Sequence, residues 1–238
     1  MSGHSKWHSI RHKKVANDLQ RGKILSKHNK IIAVVGKNDP NPETNTALKN
    51  VIINAKADGV PKDNIDRMLK KMVGDSEKSA EFVENVYEGF GPSGVPIIVT
   101  ALTDNPNRTF PNVRTAFTKN GGTMGSPGTV SFLFDHIGVV LVKTAGKTED
   151  ELLEIAIESG AENLEYDTEE SEIIANFEAL GSVRDILSVR VEVIKSELQY
   201  RIKNPVEISE ADSTQLEKLV DALEEVDDVD EVFVGVEN

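Results

Sequence analysis

The sequence predicts an α+β protein of three domains: an N-terminal helical domain and two α+β domains of the ferredoxin-like kind, of which the middle one is discontinuous. Up to residue 74, apolar residues recur at helical spacing between turn signals. Beyond residue 95, short apolar runs that are typical of strands alternate with helical segments. Between residues 136 and 205 the elements follow the order β-α-β-β-α-β, which is the ferredoxin-like pattern.

The helical domain is predicted over residues 1–78 and contains three short helices. The first covers 22–35 and ends before a turn cluster of Asn, Asp and Pro. The second begins near Thr44 or Asn45, since either side chain can cap a helix N-terminus. The third is expected to begin after Asp63, which is its predicted cap, and to run to about residue 74.

The middle domain is predicted to be discontinuous because two separated segments each hold only part of an α+β layer. The economical solution is that residues 79–135 and 206–238 share one sheet. The predicted strands cover 97–102, 130–134 and 231–236, and the predicted helices cover 108–120 and 213–223.

Residues 136–205 are then an inserted ferredoxin-like α+β domain. Each of its elements is marked by an apolar run or by helical periodicity. The predicted strands cover 139–142, 163–166, 172–177 and 193–200, and the predicted helices cover 149–159 and 182–191.

The composition excludes several classes of function. The chain of 238 residues has no cysteine, which rules out disulfides, thiolate metal sites and a cysteine nucleophile. No stretch approaches the ~20 apolar residues that a membrane helix needs, so no membrane partner is expected. The absence of cysteine and of an apolar leader near the first residues favours a cytoplasmic location.

The net charge of −13 conceals two segments of opposite sign. Residues 1–80 hold 16 Lys and Arg against 8 Asp and Glu, whereas residues 81–238 hold 11 against 32. Such an asymmetry indicates that the two segments have different partners. The basic segment predicts nucleic acid as a partner, because Lys and Arg that neutralise phosphates release counterions.

The first 30 residues carry the candidate nucleic-acid contacts. They hold eight basic side chains against the single Asp18, together with Trp7, the only tryptophan of the chain. An indole can stack on a base, and the basic side chains can contact phosphates. The alternative is a solvated terminus whose charges have no specific role. The candidate nucleic-acid-binding residues are Lys6, Trp7, Arg11, His12, Lys13, Lys14, Arg21, Lys23, Lys27 and Lys30.

A metal site is not expected, although three histidines are suitably spaced. His4, His8 and His12 recur at i, i+4, i+8 and would share one face of a helix. Lysine and arginine interleave with them, and the first carboxylate is that of Asp18. A dication is disfavoured among so many positive charges.

The second and third helices also carry basic residues, and two interpretations stay open. They either continue the basic surface of the first 30 residues or form an ordinary solvated face with nearby aspartates. The residues are Lys49, Lys56, Lys62, Arg67, Lys70 and Lys71.

Two glycine-rich stretches are expected to be a turn and a loop. Residues 89–94 predict a tight turn, and neither stretch has the form of a phosphate-binding loop. Residues 121–128 connect a helix to a strand and are long for that role. They are either a flexible connector or a loop that touches a partner closely through Gly121, Gly122, an exposed Met124 and Gly125.

No catalytic set can be assembled from the sequence. His136 is the only histidine beyond residue 28, and no Gly-x-Ser-x-Gly elbow is present. Asp104 or Asn107 is expected to cap the following helix, not to act in catalysis. We therefore expect a binding protein, not an enzyme, with no cofactor and no small-molecule substrate.

Several separated motifs make the chain similar to the YebC family. They are Met1-Ser-Gly-His-Ser-Lys-Trp7, Pro61-Lys-Asp-Asn-Ile65, Tyr87-Glu-Gly-Phe-Gly-Pro92, Leu102-Thr-Asp-Asn-Pro-Asn-Arg-Thr109 and Gly125-Ser-Pro-Gly-Thr-Val130. The resemblance implies three domains and a cytoplasmic DNA-binding regulator of transcription. It also implies an alternative, because the family includes the mitochondrial translational activator of cytochrome c oxidase and ribosome-associated factors that aid synthesis through proline runs. It leaves the oligomeric state open.

Overall fold

The computed structural model describes residues 18–74 and 82–236 and confirms an α+β fold. The described residues form two compact units, one of residues 18–30, 82–135 and 201–236, and the other of residues 31–74 and 136–200. The elements in chain order are α1 (Asp18–Val35), α2 (Thr46–Ala57), α3 (Lys62–Gly74), β1 (Val83–Phe90), β2 (Pro96–Thr103), α4 (Pro106–Lys119), β3 (Thr123–Met124), β4 (Phe134–Lys143), α5 (Glu149–Ser159), β5 (Asn163–Glu165), β6 (Glu170–Asn176), α6 (Leu180–Leu187), β7 (Val193–Ile202), α7 (Glu210–Glu224) and β8 (Val229–Val234).

The three predicted helices before residue 75 are present. Asn45 caps α2, since its side-chain oxygen accepts a hydrogen bond from the backbone N–H of Leu48 at 3.0 Å. Helix α3 already begins at Lys62, so the predicted cap Asp63 lies in its first turn, where a carboxylate favours the positive end of the helix dipole.

The sheet of the first unit has the strand order β3-β1-β2-β8. Strand β2 pairs antiparallel with β1 on one side and with β8 on the other, so segments more than 100 residues apart share this sheet, as the sequence predicts. Helices α4 and α7 bury their apolar faces on it. The fully buried side chains of this core include Ile97, Val99, Val113, Phe117, Leu216, Leu219 and Leu223.

The predicted strand at 130–134 is wrong. Ser131–Leu133 forms a short 3-10 helix, and Phe134 instead begins the long strand β4. The strand that follows α4 is β3, in which Met124 pairs with Gly89 of β1. Strand β1 was not predicted, because its polar residues hide the alternation that marks a strand; one of them, Glu88, is buried.

The predicted cap of α4 is also wrong. Asn105, not Asp104 or Asn107, accepts the hydrogen bond from the backbone N–H of Arg108 at 3.2 Å. Pro106 explains the difference, because proline is favoured in the first helical position and pushes the residue before it out of the helical region.

The sheet of the second unit has the order β5-β6-β4-β7, which is the ferredoxin-like order for β-α-β-β-α-β. Helices α5 and α6 pack on one face, with Val140, Leu152, Ile173 and Leu187 in the core. The division into three domains stays a prediction. Those domains are residues 1–78, residues 79–135 with 206–238, and residues 136–205.

Candidate nucleic-acid interface

The predicted nucleic-acid contacts fall into two groups. Lys6, Trp7, Arg11, His12, Lys13 and Lys14 lie outside the described residues, as do His4 and His8. Arg21, Lys23, Lys27 and Lys30 lie on α1. The Nζ atom of Lys23 lies 3.5 Å from the backbone oxygen of Glu225, so the first of the three lysines already faces the acidic segment between α7 and β8.

Lys27 and Lys30 are held by carboxylates of β8 and of the segment that precedes it. Lys27 Nζ lies 3.0 Å from Asp230 Oδ1 and 3.2 Å from Glu231 Oε1. Lys30 Nζ lies 2.8 Å from Asp228 Oδ1. The role of Lys27 and Lys30 as phosphate contacts stays a prediction. A phosphate would have to compete with these carboxylates for the two ammonium groups.

Asp228 is the centre of a buried polar cluster, with 6% of its side chain exposed. Its carboxylate accepts hydrogen bonds from Lys30 Nζ at 2.8 Å, Arg108 at 2.9 Å, Thr109 Oγ1 at 2.8 Å and Thr103 Oγ1 at 3.1 Å. Burial alone would raise the pKa of Asp228, but the hydrogen bonds from Lys30, Arg108 and Thr109 outweigh it and hold that pKa far below its usual range. The cluster therefore ties α1 to the start of α4 and the end of β2.

This cluster accounts for much of the motif at residues 102–109. Thr103, Arg108 and Thr109 supply three of its donors, and Asp104 forms a second ion pair with Arg108 at 3.0 Å. Sequence reasoning missed Asp228, because one carboxylate in an acidic run gives no sign that it is buried.

The basic side chains of α2 and α3 are arranged differently. All are exposed, and none forms an ion pair with a residue in 18–74 or 82–236. On α3, Arg67, Lys70 and Lys71 lie opposite its apolar face, by the geometry of 3.6 residues per turn. That face is formed by Ile65, Met68, Leu69 and Met72. We call the six residues the α2–α3 basic side chains: Lys49, Lys56, Lys62, Arg67, Lys70 and Lys71.

Two asparagines fix α2 within the second unit. Asn54 Oδ1 accepts the backbone N–H of Ser196 on β7 at 3.0 Å, and Asn54 Nδ2 donates to the Ser196 carbonyl at 2.6 Å. Asn50, one turn earlier, donates to the same carbonyl at 3.1 Å and accepts from the Ser196 hydroxyl. Because β7 is an edge strand, these bonds satisfy backbone groups that the sheet leaves unpaired. They set the orientation in which α2 presents its basic side chains.

The glycine-rich loop 121–128 is held in place. Met124, which the sequence suggested would be exposed, is half-buried against the core of the first unit. Gly121 has a φ of +78°, and a Cβ at Gly122 would lie 2.9 Å from the carbonyl oxygen of Phe90. Gly125 donates its backbone N–H to the Glu88 carbonyl at 2.8 Å. Contact of Gly121, Gly122, Met124 and Gly125 with a partner stays a prediction.

The carboxylate of Glu88 pins the far side of the same loop. It accepts the backbone N–H groups of Gly128 at 2.7 Å, Val130 at 2.7 Å and Ser131 at 2.8 Å. Burial works against its charge, but these hydrogen bonds prevail and lower the pKa of Glu88. A nest of backbone N–H groups that suits an anion is thus occupied by the protein's own carboxylate.

Two further properties bear on function. In residues 18–74 and 82–236, no group of three or more His, Asp and Glu side chains is arranged to hold a metal ion. Within the same ranges, no helix is both long and apolar enough to cross a membrane.

The chain belongs to the TACO1/YebC family, which confirms the resemblance seen in the motifs. It matches the family's N-terminal domain over residues 5–75 and its second and third domains over residues 82–236. A protein of Clostridium botulinum (strain Eklund 17B / Type B), named a probable transcriptional regulatory protein, is 42% identical over 240 residues, which cover 100% of this chain and 97% of that protein.

Other relatives agree with this membership. A probable transcriptional regulatory protein of Brachyspira hyodysenteriae (strain ATCC 49526 / WA1) is 42% identical, again over 100% of this chain and 97% of the relative. The crystal structure of a conserved hypothetical protein from Aquifex aeolicus is 41% identical, with a TM-score of 0.84 over 98% of this chain and 97% of that one. The solved relative thus shares the fold, and all three relatives match this chain over nearly their whole length.

Proposed function

We propose that this protein is a cytoplasmic, nucleic-acid-binding regulator of gene expression that binds DNA and regulates transcription. It acts by binding and not by catalysis, and it needs no cofactor. Two facts support the proposal: relatives that match the whole chain are named probable transcriptional regulatory proteins, and the α2–α3 basic side chains have no carboxylate partner among the described residues.

The α2–α3 basic side chains carry this proposal because the lysines of α1 are engaged. Lys27 and Lys30 already bind carboxylates, so a phosphate gains less from them than from an ammonium group surrounded by water. Lys70 and Lys71 are exposed and flank one face of α3. Each such contact releases about one condensed counterion, so binding should weaken as salt rises.

The second candidate function is that of a ribosome-associated factor that aids translation through difficult sequences such as proline runs. The same basic side chains would then contact ribosomal RNA. The acidic remainder of the chain, with 32 Asp and Glu in residues 81–238, favours this candidate. These carboxylates would repel the phosphates of duplex DNA, but they can face basic ribosomal proteins.

The test is a charge reversal on α3 measured against both kinds of target. The variant Lys70→Glu/Lys71→Glu and the wild type are titrated into labelled duplex DNA and labelled ribosomal RNA, and sedimented with ribosomes. We expect the variant to bind its target at least roughly tenfold more weakly, since two attractive phosphate contacts become repulsive.

Arg114→Glu is a single-reversal control, because Arg114 is also exposed and unpaired within the described residues but lies on α4. Binding of the wild type to DNA at physiological salt, with no ribosome in the pellet, supports the transcriptional function. Co-sedimentation with weak DNA binding supports the translational one. A wild type that binds neither target at low salt refutes both.

A further inference from the structure

A shallow pocket of about 400 Å³ lies between the end of α4 and the middle of α7, within the first unit. Its lining includes Lys119, Asn120 and Gly121 from one side and Thr214, Gln215 and Lys218 from the other. None of its lining residues carries a carboxylate. Two lysines therefore line one depression whose walls hold no negatively charged residue.

The two lysines of the pocket differ from the other lysines of the first unit in lacking a partner among the described residues. Four of the six in its described residues bind oxygen atoms of the unit's own carboxylates or carbonyl groups, namely Lys23, Lys27, Lys30 and Lys203. The two that bind none within the described residues are Lys119 and Lys218, and both line the pocket.

Lys218 stands out in its own sequence context. It is the only lysine or arginine between residues 204 and 238, a stretch with 12 Asp and Glu. Although carboxylates are abundant there, none of those described lies within ion-pair distance of Lys218. An anionic ligand in this depression would be attracted to the ammonium groups of both lysines.

The uncharged groups of the pocket are also suited to an anion. Gly121 has a φ of +78°, and a Cβ there would lie 2.5 Å from Gln215 Nε2, so the Gln215 amide occupies the space that a side chain would take. That amide makes no hydrogen bond with a described residue, which leaves its N–H groups available as donors.

We infer that the α4–α7 pocket binds a phosphate group, with Lys119 and Lys218 as the two charged contacts and the Gln215 amide as a neutral donor. The phosphate belongs either to a nucleic-acid backbone or to a free mononucleotide. Lysine suits this role as a compact point charge. The inference extends the proposed function without resting on it, because the pocket and the α2–α3 basic side chains lie on different helices.

The experiment uses the full chain, labelled with ¹⁵N, in a buffer without phosphate. Inorganic phosphate, AMP and a short single-stranded RNA are titrated in turn, and amide shifts are followed at Gly121, Thr214 and Lys218. We expect saturable shifts at these amides and an approximately tenfold weaker affinity in Lys218→Gln and in Lys119→Gln, the loss typical of one charge-assisted hydrogen bond. Arg114→Gln is the control, since Arg114 is exposed on α4 but does not line the pocket.

The outcomes distinguish a backbone phosphate from a mononucleotide, and they test the pocket separately from the proposed function. Saturation by AMP at concentrations similar to those for the RNA identifies a mononucleotide, and saturation only by the RNA identifies a backbone phosphate. Lys70→Gln/Lys71→Gln should leave the shifts with inorganic phosphate unchanged, whatever it does to DNA binding. The inference is overturned if none of the three probes shifts these amides, or if Arg114→Gln weakens binding as much as Lys218→Gln.

Discussion

Replacing Asp228 by alanine should cost a large part of the stability of this fold. The substitution leaves the ammonium group of Lys30 and the guanidinium group of Arg108 without the carboxylate that they share, and the Thr103 and Thr109 hydroxyls without an acceptor. Removing one partner of a buried ion pair costs about 3–5 kcal/mol. Arg108 is half exposed and keeps Asp104, so we expect the lower part of that range, about 3 kcal/mol.

The assay is urea denaturation at pH 7 and 25 °C, followed by circular dichroism. Asp227→Ala is the matched control, because Asp227 is the exposed neighbour. Its side chain forms no hydrogen bond or ion pair with a described residue, and only its backbone oxygen binds Lys30. The control should change the free energy of unfolding by less than about 0.5 kcal/mol. A loss below about 1 kcal/mol for Asp228→Ala would refute the reasoning that this cluster joins α1 to α4.

The same cluster predicts how stability depends on pH. The pKa of Asp228 is lowered in the folded state, so its contribution is complete above the unfolded value of about 3.9 and is lost as pH falls through the lower folded value. As the pH falls below about 4, the wild type should therefore lose stability faster than Asp228→Ala. Parallel acid profiles of the two proteins would contradict this.

Four smaller effects follow from other parts of the structure. Glu88→Gln should cost about 1–3 kcal/mol and speed hydrogen exchange at the Gly128 amide, since the carboxylate binds that N–H; unchanged exchange would contradict it. The pKa of Glu88 is also lowered, so its carboxylate loses its charge only as the pH falls below about 4. The protection of the Gly128 amide against exchange, corrected for the intrinsic rate, should decrease over the same range. Asn54→Ala should cost about 1–3 kcal/mol in urea denaturation, because it leaves the Ser196 N–H without its acceptor, and a neutral effect would contradict it. Gly121→Ala should lower the thermal midpoint by a few degrees, since its φ of +78° costs an alanine about 1 kcal/mol; an unchanged midpoint would contradict it.

The ferredoxin-like order of the second unit could be predicted because each of its elements is local. Helix α5 has its own start signal, a capping box in which Thr148 and Glu151 bond each other's backbone N–H groups. Strands such as β4 and β6 are apolar runs whose burial follows from their composition. The join between β2 and β8 could be predicted as well, since each segment had apolar strands and no sheet of its own.

The contacts that position the candidate interface could not be predicted, because each joins residues far apart in the chain. Lys30 and Asp228 are separated by 198 positions, and Asn54 and Ser196 by 142. A lysine in a basic run and an aspartate in an acidic run both suggest solvated residues until the fold pairs them. For the same reason, Lys23, Lys27 and Lys30 of α1 look like the basic residues of α3 in sequence, although only those of α3 are without partners among the described residues.

The salt dependence of nucleic-acid binding tests the central claim most directly. That claim is that the basic side chains of α3, which pair with none of the described residues, contact phosphates. The affinity for a labelled duplex is measured between 50 and 200 mM salt for the wild type and for Lys70→Gln/Lys71→Gln. Each phosphate contact contributes about 0.9 to the slope of log K against log salt, so the variant's slope should be smaller by roughly two. An unchanged slope, with equal affinities at every salt concentration, would contradict the claim.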